Sequence, residues 1–181
     1  MTFDEITENR LWAVHYDDEK YNALETVFNQ WNDAEYLVSF FSENFDDLVT
    51  HFKITHLEDA IFDTMDDSDR LECLILDISP DTNLDELFRP LQNSRTSEML
   101  LGKEKARLQN RPNHSSWLRI YAIKLNPGIY IITGGAIKLT RTMQERAHTL
   151  KELEKMEQTR QYLVANNVID NDSFIDFIRE G

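Results

Sequence analysis

Trp117, Arg119 and Tyr121 recur at spacings of two, so on an ideal strand all three point to one face while Leu118, Ile120 and Ala122 point to the other. A guanidinium between aromatic rings suits a surface that holds a phosphate and stacks a base. Lys138, Arg141 and Arg146 follow the neighbouring strand, with Glu145 and His148 beside them. The same residues also suit a salt-bridged sheet surface whose aromatics pack on a helix. Both readings stand on residue type and spacing alone.

Other chemistries find no foothold. The chain has no Gly-x-Ser-x-Gly elbow, phosphate-binding loop, Gly-x-Gly-x-x-Gly turn or His-Glu-x-x-His pair. His15, His51, His56, His114 and His148 include no i, i+4 pair, so no zinc site is expected. Asp66-Asp67-Ser68-Asp69 lacks the glycine and terminal glutamate of a calcium loop and reads as a solvated helix face. No cofactor is expected.

The elements that must position the cations follow from periodicity. Residues 117–125 and 129–139 flank Asn126-Pro127-Gly128, a hairpin turn with glycine where φ turns positive. Gly134-Gly135 inside the second strand predicts a bulge or a close backbone approach. Residues 11–16 read as an opening strand. Asn22 and Asp33 cap two helices with apolar faces at 24–31 and 36–41. Thr55-x-x-Glu58 and Thr149-x-x-Glu152 fit capping boxes opening helices over 57–78, broken near Ser68, and 150–163. Ser97 is expected to cap a basic helix through Leu108, and 84–91 is of uncertain type. Residues 170–178 give a short last helix.

The chain has 181 residues, 41% of them hydrophobic, which suits a single domain over 1–181 and excludes wholesale disorder. No apolar run approaches a membrane span, Met1 to Arg10 lacks the pattern of a signal peptide, and Cys73 is the single cysteine. A cytoplasmic location is the expectation. The net charge of −14 hides a division. Residues 1–90 hold 5 Lys and Arg against 23 Asp and Glu, whereas 91–165 hold 13 against 6. A basic segment can attract phosphates while an acidic one repels them or attracts a basic partner.

Trp117-Leu-Arg-Ile-Tyr-Ala-Ile-Lys, the turn, Ile129 to Thr142 and the helix over 149–163 resemble the C-terminal half of RelE/HigB-like toxins of bacterial toxin–antitoxin systems. The likeness covers about 88–165, with 46–85 an acidic helical insertion. It implies an α+β fold, a small antiparallel sheet with helices packed on one face. It also implies an endoribonuclease that cuts mRNA on the ribosome by 2′-hydroxyl attack on the adjacent phosphate, silenced by a cognate antitoxin. Arg119 and Arg141 would stabilise the phosphate, Lys138 position it or move a proton, and His148 serve as acid or base, with Glu145 the weaker base. Trp117, Tyr121 and Arg146 would bind substrate. The alternative is a catalytically inactive member of that fold that binds protein through its acidic helices.

Overall fold

A computed structural model describes residues 1–91, 101–109 and 114–180. Two strands open the chain, β1 (Thr2–Thr7) and β2 (Leu11–His15). Helices α1 (Ala23–Trp31), α2 (Ala34–Glu43), α3 (Phe45–Phe52), α4 (Leu57–Leu76) and α5 (Leu84–Leu87) follow. Strands β3 (Phe88–Pro90), β4 (Gly102–Ala106), β5 (Leu118–Leu125) and β6 (Ile129–Ile137) precede α6 (Ala147–Ala165) and α7 (Asn171–Glu180). The result is an α+β protein whose sheet runs β1-β2-β6-β5-β4-β3.

The sheet is mixed, where a wholly antiparallel one was expected. β2 runs parallel to β6, pairing Leu11, Trp12 and Ala13 with Tyr130, Ile131 and Ile132. Parallel partners need a long crossover, and the helices α1 to α5 lie within it. Nor do the helices share one face. A Cβ added at Gly135 would meet Val27 of α1, whereas one at Gly134 would meet Glu152 of α6. Successive strand residues point to opposite faces, so α1 and α6 cover opposite sides of the sheet. Helices α2 and α4 pack with α1 on its side. On the other side α7 sets Phe174 edge-on against Phe3 and Trp12, with centroids 5.5 and 5.3 Å apart.

The anticipated local signals hold unevenly. Asn22 Oδ1 accepts from the amides of Leu24 and Glu25, both at 3.0 Å, and Glu25 accepts from the Asn22 amide. The Asp33 side chain accepts from the Glu35 and Tyr36 amides, with no reciprocal bond. His56, not Thr55, is the N-cap of α4, and its side chain makes no capping bond. That helix runs unbroken past Ser68; Ser68 and Thr64 are buried on it, and the Thr64 hydroxyl donates to the Ala60 carbonyl at 2.7 Å. Helix α6 begins before Thr149, whose hydroxyl donates to the Met143 and Arg146 carbonyls. The bulge falls as expected, with register shifting opposite Tyr121 and Ala122 beside Gly134. The turn at 126–128 forms without Gly128 entering the left-handed region.

The largest departure is β4. Residues 102–106 form a strand where a basic helix was expected, and the cap assigned to Ser97 lies outside the described residues. Lys103 and Lys105 alternate with buried Glu104 and Ala106, a period of two that pairing with β5 fixes. Among the described residues no helix is long and apolar enough to cross a membrane.

Candidate phosphate-binding cleft

Pairing aligns Arg89 with Lys105 and Lys105 with Tyr121, placing the three in one row across β3, β4 and β5. Tyr121 is in turn opposite Gly134, over which Glu152 of α6 sits. This row therefore faces the α6 side, and Arg119 and Lys103, two residues removed, share it. Helix α6 leaves the β3-β4-β5 part of that face open. The opening is a cleft of about 1060 Å³ that also takes in Lys138 and Arg141 after β6 and Arg160 from α6. Among the described residues, nine lysines and arginines line it against two carboxylates, Glu104 and Glu157. In a chain of net charge −14, that concentration is the opposite of the average surface.

Arg119 Nη1 donates to the Ser116 and Leu118 carbonyls at 2.6 and 2.7 Å. Burial, reinforced by Arg107, pushes its guanidinium down to about 10. Lys138 Nζ donates to the Thr140 and Arg141 carbonyls at 2.5 and 2.6 Å. Burial and then Arg119 hold its ammonium below the usual lysine range. Glu157 is occupied by Arg160 at 2.8 Å and Lys103 at 2.7 Å, and these pairs hold its carboxyl down to about 2. A smaller hollow of about 470 Å³, walled by His51, Phe52 and His114, shares Arg119, Lys138 and Arg141 with the cleft.

Three of the residues anticipated at the site are thus brought together: Arg119, Lys138 and Arg141. Tyr121, wholly buried, lies among the residues that line the cleft with them. The others are elsewhere. Trp117 precedes the strand, so alternation does not govern it. Its ring lies between Phe52 and a parallel His114, centroids 5.1 and 4.3 Å away, and its Nε1–H donates to Thr64 at 2.9 Å. It is a core residue and presents no stacking surface. Arg146 forms a two-pronged pair with Asp47 of α3, at 2.7 and 2.6 Å. His148 contacts the Ile137 carbonyl through Nε2 at 2.9 Å and sets its ring edge-on against Phe40 at 5.0 Å. Glu145 caps Thr142, and those two hydrogen bonds hold its carboxyl below the usual range.

The acidic helices also depart from a simple solvated face. Asp67 is wholly buried, and Asp63 meets His114 Nε2 at 2.8 Å. None of Asp63, Asp66, Asp67 and Asp69 lines the cleft. Among the described residues no cluster of three His, Cys, Asp or Glu side chains could hold a metal ion. The cleft cations that sequence reading missed are Arg89, Lys103, Lys105, Arg107, Lys124 and Arg160; for Lys103 and Lys105 the alternation through 102–106 was the available signal.

Glu104, which also lines the cleft, has its carboxyl pushed up to about 7 by burial, from 4.5. The folded state therefore keeps a proton that the unfolded chain releases. Stability from this group is full below pH 4.5 and lost as pH rises through about 7. Burial shifts Glu152 in the same direction. Melting temperature is expected to fall between about pH 5 and 7, less steeply in Glu104→Gln; equal slopes would show that Glu104 carries no such shift.

No protein-family model matches the chain, and no curated protein or solved structure does. The fold and the cleft define an α+β protein with a preformed cationic groove on one face of its sheet, and acidic helices on the other.

Proposed function

We propose that the chain binds RNA through its phosphates in this cleft. One observation carries the reading: Arg119, Lys138 and Arg141 converge in a concave, cation-lined surface that none of the four α4 carboxylates enters. Neutralised phosphates release counterions, so affinity must fall with salt. For about four phosphate contacts on a single strand, the loss between about 50 and 200 mM salt is roughly 50-fold. Fluorescence anisotropy with a labelled single-stranded RNA measures it. Arg119→Ala and Lys138→Ala are expected to weaken binding and flatten the salt slope, while Lys20→Ala leaves both unchanged. Salt-independent binding, or site variants equal to wild type, would sink the reading.

Cleavage of the bound strand is the second reading, and with it come the RelE/HigB-like toxin role, the ribosome as the place of action and a cognate antitoxin. Lys138 favours it. Its ammonium, held below the usual lysine range, can give a proton to a leaving oxygen, and Arg119 can offset charge developing on the phosphate. The same binding samples run on a denaturing gel decide it: products must form with wild type and vanish in Lys138→Ala.

A further inference from the structure

The inner end of the cleft carries more positive charge in one place than a run of internal phosphodiesters supplies negative charge. Lys105 and Arg119 extend from neighbouring strands on one face, and Lys138 enters from the segment after β6. Their charged heads rest on backbone carbonyls. Lys105 Nζ donates to Leu91 at 3.1 Å, Arg119 to Ser116 and Leu118, and Lys138 to Thr140 and Arg141. Carbonyls orient a cation without cancelling its charge. The two cleft carboxylates cancel only part of it. Glu157 is engaged by Lys103 and Arg160, and Glu104, which attracts Lys105, points to the other side of β4 and is also drawn to Lys124. Burial aside, it is mutual repulsion that lowers the affinity of these groups for their protons, Arg119 acting on both lysines and Arg107 on Lys105 and Arg119.

Tyr121 supplies an independent observation. It is 0% exposed, lines the cleft beside Lys105 and Arg119, and its hydroxyl has no hydrogen-bond partner among the described residues. Buried hydroxyls are nearly always paired, so an orphan at the floor of a cationic cleft marks the position of an acceptor. A phosphodiester has one negative charge. A phosphomonoester carries close to two near neutral pH and offers three strong acceptor oxygens.

We propose that Lys105, Arg119, Lys138 and the Tyr121 hydroxyl form a subsite for a terminal phosphomonoester, the phosphate at one end of an RNA strand. The proposal rests on the RNA-binding reading for the source of that phosphate and on the subsite itself for its charge. Anisotropy competition tests it with one RNA sequence carrying a 5′-phosphate, a 3′-phosphate or hydroxyls at both ends, and with a nucleoside monophosphate. One phosphorylated form is expected to bind at least about tenfold tighter than the hydroxyl-ended strand, the scale of hydrogen bonds to a charged group. Tyr121→Phe, with the melting curve checked, should remove most of that preference, weakening the phosphorylated strand by a larger factor than the hydroxyl-ended one. Lys105→Gln, at a less buried position, should narrow the same ratio if the phenylalanine variant fails to fold. Equal affinity for all three strands overturns the subsite and leaves RNA binding intact. Tight binding of the monophosphate with no binding of any RNA supports the subsite and removes the RNA reading. A terminal preference that survives both substitutions places the recognition elsewhere and overturns the assignment.

Discussion

Replacing Trp117 with alanine is expected to cost about 3–5 kcal/mol of stability, the range for deleting a large buried aromatic, and to leave RNA affinity unchanged. The indole is fully buried. Phe41, Phe52 and His114 surround it with centroids 5.9, 5.1 and 4.3 Å away. Its Nε1–H donates to Thr64, whose hydroxyl goes on to the Ala60 carbonyl, so the ring ties β5 to the middle of α4. Truncation leaves a cavity at the junction of three helices and a sheet, and strips a donor from a buried threonine. For a chain of this length the melting temperature should drop by roughly 10 °C or more. Thermal melts run beside anisotropy well below the transition separate the two effects. Lost RNA affinity in a protein that is still folded would mean that Trp117 touches the nucleotide after all.

Gly135→Ala is expected to be nearly as damaging, at about 2–3 kcal/mol, near the top of the range for overpacking a core. Its Cβ would stand 2.7 Å from the Arg119 carbonyl oxygen and 3.0 and 3.1 Å from the two Val27 methyls. The valine can be trimmed; the carbonyl cannot, because it belongs to the adjacent strand. Val27→Ala in the same chain should therefore recover only part of the loss. Urea unfolding of both variants measures this, and full recovery would show that the side chain, not the strand, was the obstacle. Since the carbonyl is that of Arg119, the single variant should also weaken RNA binding.

The two caps, the hairpin and the glycine bulge were legible because each rests on neighbours in sequence. Arg119, Lys138 and Arg141 were legible as a group because two adjacent strands carry them to one end. Elsewhere the determining partner is distant. Nothing near Arg146 announces Asp47, which claims it from α3. Nothing near His148 shows that its ring closes against Phe40 and a strand carbonyl. Trp117 looked like a face-mate of Arg119 on parity, yet the strand starts one residue later. In the sequence the apolar spacing of Met99, Leu100, Ala106 and Leu108 imitated a helix, and only the pairing of β4 with β5 exposes the alternation that adds Lys103 and Lys105 to the cleft.

The parallel ladder between β2 and β6 has a further consequence, for synthesis of the chain. It joins residues about 120 positions apart, a high contact order, and loop closure over that distance is a slow step. On the ribosome the β1–β2 hairpin must wait with one edge unpaired until Tyr130 to Ile132 have left the exit tunnel. A waiting strand edge invites aggregation. The 23 carboxylates among residues 1–90, against 5 cations, give the nascent half a self-repelling charge over that interval. The acidity of this half thus serves the unfinished chain, keeping its open edge apart from others until the strand that completes the sheet arrives.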